Sequence, residues 1–347
     1  MPVNNERPAH LVRWPIIIGM GAKAARGAAF PGCLAGSKAY PTCHFCGSAI
    51  IAVALLFTTT LLAGCGQSAT PEPTDLLHVT VSIVPQKYFL ERIGGEHVTV
   101  NVMVEPGASP ATYEPKPEQF QALSQAAAYV SIGVPFESAW LDKIASVNSE
   151  MLMVDTTEGI ERMPMAAHQH GEEGEGEEGN EGKTENPDPH IWLSPSLVKI
   201  QSQTIYEALA QLDPAQQDAY QSNLEGFLAD IEALDDAIRE TLEELDSRKF
   251  MVFHPAWGYF ARDFGLDMVP VEIGGQEPSA AEMATLIEGA RGEEIRVIFA
   301  QPEFSTRAAE TIAKEIGGEV LLISPLATDW LDNLRRVADT FAGVLGK

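Results

Sequence analysis

Two kinds of apolar pattern alternate along the chain from residue 77 to residue 345. Short runs rich in β-branched residues predict buried strands, and segments whose apolar residues lie three or four positions apart predict helices. The two kinds succeed one another at intervals of about 20 to 30 residues, which is typical of the βαβ units of a parallel sheet. The predicted strands are 77–84, 98–104, 128–132, 151–154, 249–253, 267–271, 296–300 and 319–323.

The longest helical pattern separates the first four predicted strands from the last four. It follows Asp213-Pro214, where Asp suits the N-cap and Pro suits the first helical position. At about 1.5 Å per residue, a helix over 214–245 would span roughly 48 Å. Its apolar residues form one stripe: Tyr220, Leu224, Phe227, Ile231, Leu234, Ile238 and Leu242.

The order of elements predicts an α/β protein of two lobes. Each lobe would contain a four-stranded parallel sheet flanked by helices, and the long helix would bridge them. We assign residues 77–213 to the N-terminal lobe, 214–245 to the bridging helix and 246–347 to the C-terminal lobe. The other predicted helices are 86–93, one around Phe120 and Leu123, 195–212, 258–264, 281–291, 305–316 and 331–345.

The N-terminal part of the chain differs from the rest. An apolar run from Ala49 to Ala63 is typical of a secretory signal, and at about 22 Å it is shorter than the roughly 30 Å hydrocarbon core of a membrane. The residues Leu62-Ala63-Gly64-Cys65 resemble a bacterial lipoprotein signal. We therefore expect residues 1–64 to be a leader and 65–76 a linker that begins with a lipidated Cys65. This places the protein on the outer face of the cytoplasmic membrane or in the periplasm. Ordinary secretion or a short anchor is the alternative.

The formal net charge of -26 argues against a nucleic-acid partner, because phosphate binding needs a basic face. Part of this charge comes from residues 168–185, a run of Glu and Gly that includes His168 and His170. With no apolar face, this run cannot fold by itself. It is either a solvated linker or an accessory loop that collects metal ions.

Two histidines lie where the predicted fold would place a ligand site. His254 directly follows strand 249–253, and ligands of open parallel sheets collect beyond the carboxyl ends of strands. His190 lies in a rigid loop of the other lobe, between Pro189 and Trp192. Two neutral imidazoles suit Zn²⁺ and related ions, which need a third and usually a fourth ligand. Carboxylates near later strand ends are Glu272, Glu277 and Glu303, and spacing alone does not select among them.

Five short blocks support a family resemblance that covers nearly all of residues 77–345. They are Gly107-Ala108-Ser109-Pro110, Tyr113 to Pro117, Asp188 to Pro195, His254 with Trp257 to Phe260, and Phe304-Ser305. Together they resemble the metal-binding lipoproteins of bacterial zinc and manganese ABC importers. The acidic, His-containing run is similar to that of the zinc branch. The resemblance implies a metal held between two lobes and delivered to an ABC permease with its ATPase, by a protein that is a monomer and not an enzyme.

The ligands of the family carry over only in part. His190 and His254 match two family histidines, but the position of a third, after the Gly-Ala-Ser-Pro turn, is Ala111. A late Asp-Pro-Leu motif of the family reads Ser324-Pro325-Leu326 here. We therefore expect a rebuilt site of His190, His254 and one carboxylate, with Glu303 the first candidate and Glu272 the second. Water, His168 or His170 could fill the open position.

Three alternatives remain open from the sequence. Loss of a histidine relaxes the preference for nitrogen ligands, so the cargo could be Mn²⁺ or a chelated metal. Two histidines, a carboxylate and an open position also describe a hydrolytic zinc site, although no His-Glu-x-x-His, Gly-x-Ser-x-Gly or P-loop motif occurs. A surface adhesin without a transport role is the third.

Overall fold

The computed structural model of the protein describes residues 76–166, 187–272 and 276–346. Eight strands form two parallel sheets of four, and these sheets confirm the predicted fold class. The order is β2-β1-β3-β4 in the first sheet and β6-β5-β7-β8 in the second. The strands are β1 Leu77–Val81, β2 Val98–Val102, β3 Ala128–Ser131, β4 Leu152–Asp155, β5 Lys249–Val252, β6 Asp267–Pro270, β7 Val297–Ala300 and β8 Glu319–Leu322.

Nine α-helices of the described residues pack around these sheets, and short 3₁₀ turns occur at Gly95–His97, Ile191–Leu193 and Pro214–Gln216. One helix, α3, is absent from the predicted elements, although Pro135 occupies its first turn and Phe136, Trp140 and Ile144 follow in steps of four. The helices are α1 Val84–Gly94, α2 Pro117–Leu123, α3 Pro135–Val147, α4 Pro195–Leu212, α5 Gln217–Thr241, α6 Gly258–Phe264, α7 Ala280–Gly292, α8 Arg307–Ile316 and α9 Trp330–Leu345.

The bridging helix is α5, and it is shorter than the sequence predicts. Its 25 residues follow the 3₁₀ turn Pro214–Gln216. All seven residues of its predicted apolar stripe are buried. The stripe packs against α1 and α4 of the first lobe and α9 of the second, so one continuous element fixes the two lobes together.

Two buried tryptophans also join the lobes. The Nε1 of Trp192, which precedes α4, donates to the carbonyl of Pro325 at 2.7 Å. The Nε1 of Trp330, at the start of α9, donates to the carbonyl of Trp192 at 2.7 Å. Each indole is buried with its N–H satisfied, which avoids the cost of an unpaired polar group in a core. Residues of both lobes therefore belong to one hydrophobic core, and the second lobe has a further core cluster of its own.

Several predictions concern residues outside the described ranges. The leader 1–64, Cys65, and His168 and His170 of the acidic run are among them. Within residues 76–166, 187–272 and 276–346, no helix has the length and apolar character needed to span a bilayer. The boundaries of the leader, the linker and the lobes stay predictions.

Candidate metal site

His190 is held in one orientation by Asp188 from its own loop. The Oδ1 of Asp188 accepts from the backbone N–H of His190 at 2.9 Å and lies 2.7 Å from its Nδ1. The carbonyl of Asp188 accepts from the hydroxyl of Tyr259 in the second lobe at 3.0 Å. When Nδ1 carries the proton and donates it in a hydrogen bond to the carboxylate, the lone pair of Nε2 is free to bind a metal. The sequence Asp-Pro-His therefore supplies both an imidazole and the carboxylate that orients it.

His254 is held in the same way, but by a carboxylate from another strand. It follows β5, and its Nδ1 lies 2.6 Å from Oε2 of Glu272, which follows β6. The carbonyl of His254 accepts from the side-chain amide of Gln301 at 2.9 Å, which fixes the backbone independently of the ring. The ring of Phe304 lies 4.9 Å from the imidazole between centroids. His254 therefore also presents Nε2 as its free nitrogen.

The two imidazoles meet between the lobes. Their ring centroids are 5.2 Å apart, and both rings line a cavity of about 50 Å³. A volume of this size holds a single ion or water molecule. Burial lowers the pKa of His190, and the nearby Asp188 opposes this shift. A neutral imidazole is the form that coordinates a metal, so burial favours the binding form.

Glu303 lines the same small cavity from the loop after β7. Its Oε1 accepts from the hydroxyl of Ser324 at 2.6 Å. Its Oε2 is buried and has no hydrogen-bond partner. An unpaired buried carboxylate oxygen is costly, and a bound cation would remove that cost. Ser324, which lacks the carboxylate of the family motif, here positions Glu303.

Ala111 leaves one side of the histidine pair open. This residue is exposed, and it lines both the small cavity and an adjoining cavity of about 640 Å³. In the part of the chain that the structure describes, no three His, Cys, Asp or Glu side chains are grouped so that they could hold a metal ion. The structure brings the predicted ligands His190 and His254 together. Glu272 contacts the ring of His254, Glu303 lines the small cavity, and Glu277 is exposed.

Two lobes joined by one helix, with two oriented imidazoles between them, place this chain in the class of two-lobed metal-binding proteins. The chain belongs to the family of the periplasmic component A of zinc-uptake complexes, ZnuA, whose model matches residues 79–344. The resemblance to the binding proteins of zinc and manganese importers is thereby confirmed. Members of this family serve as the substrate-binding component of an uptake complex.

Three relatives show how far the similarity extends. The high-affinity zinc uptake system protein ZnuA of Bacillus subtilis is 28% identical over 278 residues, which cover 77% of this chain and 85% of the relative. The manganese-binding lipoprotein MntA of Halalkalibacterium halodurans is 26% identical over 317 residues, which cover 87% and 99%. A crystal structure of ZnuA is 46% identical with a TM-score of 0.71 and covers 78% of this chain and 99% of the other.

Proposed function

We propose that this protein captures Zn²⁺ through the Nε2 atoms of His190 and His254 and delivers it to an ABC permease driven by an ATPase. The observation that carries the proposal is the buried pair of imidazoles, each with Nδ1 on a carboxylate. Membership in the zinc-uptake family supports zinc as the cargo. It also favours cargo binding over hydrolysis, because the family is named for uptake.

Glu303 is the carboxylate that we propose as the third ligand, because its Oε2 is buried without a partner and the residue lines the small cavity that both histidines line. Glu272 has a different proposed role. Its Oε2 is engaged by Nδ1 of His254, so it orients the imidazole.

The two carboxylates should respond differently to conversion into amides. Glu303→Gln should weaken Zn²⁺ binding at least about tenfold, because an amide oxygen is a poor substitute for a charged ligand. Glu272→Gln retains an oxygen that accepts from Nδ1 and should cost only about threefold, whereas Glu272→Ala should cost about 10- to 100-fold. Calorimetric titration with zinc measures all three, with the exposed Glu319→Gln as the control. Equal losses for Glu272→Gln and Glu272→Ala would contradict the orienting role.

The acidic run 168–185 is proposed as an accessory collector through His168 and His170. A variant that lacks residues 168–185 should bind fewer zinc ions per chain while it retains one tight site, because the primary ligands lie outside the run. Zinc content after dialysis, together with calorimetry, measures both properties. Loss of the tight site in this variant would instead assign His168 or His170 to the primary site.

Mn²⁺ is the second candidate cargo. Among the described residues, two histidines meet at the site and Glu303 lines the same cavity with an unpaired oxygen, which is a donor set that Mn²⁺ accepts. The similarity to a manganese-binding lipoprotein points the same way. Competition between the two ions for the purified protein decides the matter: displacement of Zn²⁺ by an equal concentration of Mn²⁺ would favour manganese.

We also propose that residues 1–64 are removed and that Cys65 carries a lipid, with 65–76 as the tether. The family is described as periplasmic, and the manganese-binding relative is named a lipoprotein. In cells, Cys65→Ser should move the protein from the membrane fraction to the soluble fraction. Retention of that variant in the membrane would rule out Cys65 as the anchor. A monomeric state is proposed on the resemblance alone.

A further inference from the structure

A second, larger cavity adjoins the histidine pair. Its volume of about 640 Å³ is in the range of small-molecule sites. It shares Ala111, His254 and Pro189 with the small cavity, so the two spaces meet where the third histidine of the family is missing. A bare metal ion needs no space of this size.

The carboxylates that line the larger cavity are all engaged by the protein. Glu137 accepts from the backbone N–H groups of Ile132 at 3.0 Å and Gly133 at 2.8 Å, as well as from the hydroxyl of Ser82. The Oδ1 of Asp155 accepts from the backbone N–H of Thr157 at 2.9 Å. Glu272 holds His254. Glu137 and Glu272 are therefore less available to a ligand, whereas Asp155 is exposed and engages only one of its two oxygens.

Arg162 is the basic residue on this wall, and within the described ranges its side chain has no ion-pair or hydrogen-bond partner. Its guanidinium lies against Gly133, where a Cβ would be 2.5 Å from Nη1. Gly133 also has a φ of +80°, a conformation that favours glycine. The backbone thus leaves room for a guanidinium at the cavity. A cation placed there repels a bare metal ion and attracts an anion.

We propose that the protein binds its metal together with a small amino-carboxylate chelator. The carboxylate of the chelator pairs with Arg162, and its nitrogen fills the coordination position that Ala111 leaves open. The inference rests on the proposed function, since the chelator enters through the metal held by His190 and His254. Arginine is suited to this task because its planar fork binds a carboxylate through two hydrogen bonds.

The test uses L-histidine as the probe and measures Zn²⁺ affinity at matched free zinc concentrations. L-histidine should tighten zinc binding by the wild-type protein at least about tenfold, which corresponds to one charge-assisted pair. Arg162→Ala should remove this gain, and without L-histidine it should bind zinc at least as tightly as the wild-type protein, because the cation that it removes repels the bare ion. Arg335→Ala is the matched control, because Arg335 pairs with Asp332 on the surface of α9. Imidazole, which has no carboxylate, should act equally on the wild-type protein and Arg162→Ala.

Equilibrium dialysis with radiolabelled L-histidine adds a direct readout. One label per bound zinc, with no retention in the absence of zinc, supports the ternary complex. The proposal is overturned if L-histidine, L-cysteine and L-aspartate all leave zinc affinity unchanged, or if Arg162→Ala keeps the full gain. Tight zinc binding without any chelator effect rejects this inference alone. Absence of zinc binding under every condition rejects the proposed function as well.

Discussion

Replacement of His254 by alanine is expected to weaken Zn²⁺ binding by more than about 100-fold, since even an outer-shell partner of a metal ligand is worth about 10- to 100-fold. The variant removes one of the two imidazoles that meet between the lobes and leaves the carboxylate of Glu272 without its partner. The fold should survive, because Gln301 binds the backbone carbonyl of residue 254, not its ring. Calorimetric titration measures the affinity, and thermal unfolding checks the fold.

The control for this variant is His78→Ala, which removes an exposed histidine from β1 without touching the site. This variant should bind Zn²⁺ with the affinity of the wild-type protein. His190→Ala should match His254→Ala in its loss of zinc affinity, since both nitrogens bind the same ion. Undiminished tight binding by either variant of the pair would show that the metal is held elsewhere.

The fold was predictable because each element has a simple periodic signal. The stripe from Tyr220 to Leu242 identified the bridging helix, and the β-branched runs identified both sheets. Apart from the missed helix α3, the errors fell at the ends of elements. The first strand stops at Val81, not at residue 84, because the side chain of Gln86 accepts from the backbone N–H groups of Ser82 and Ile83 and turns the chain into α1. A pattern of apolar residues carries no information about such a hydrogen bond.

The site was predictable only to the level of its histidines. The rule that ligands collect at the carboxyl ends of parallel strands located His254, and the family motif located His190. The role of each carboxylate depends on side-chain contacts between distant segments. Glu272 contacts His254, which lies 18 residues earlier in the chain, and Glu303 contacts Ser324, which lies 21 residues later. No sequence motif pointed to Arg162, because its proposed role depends on the cavity that it lines and on its lack of an ion pair with any described residue.

Restoring the missing histidine should have the opposite effect to removing His254. Ala111→His is expected to tighten Zn²⁺ binding by at least about 10-fold, because a third imidazole would raise the number of nitrogen ligands toward the three or four that zinc prefers. The substitution should be tolerated, since Ala111 is exposed and borders open space on the side of both cavities. The same variant should lose its response to L-histidine, as its own side chain would occupy the open position.

Ala111→Leu is the matched control, because it adds similar bulk without a ligand atom. It should bind zinc no more tightly than the wild-type protein, and by obstructing the junction of the cavities it should also reduce the effect of L-histidine. Zinc affinity at matched free zinc, with and without L-histidine, separates the two variants. An Ala111→His protein that binds zinc no better than Ala111→Leu would show that residue 111 does not face the metal, and the open position would then have to be sought beside Glu303.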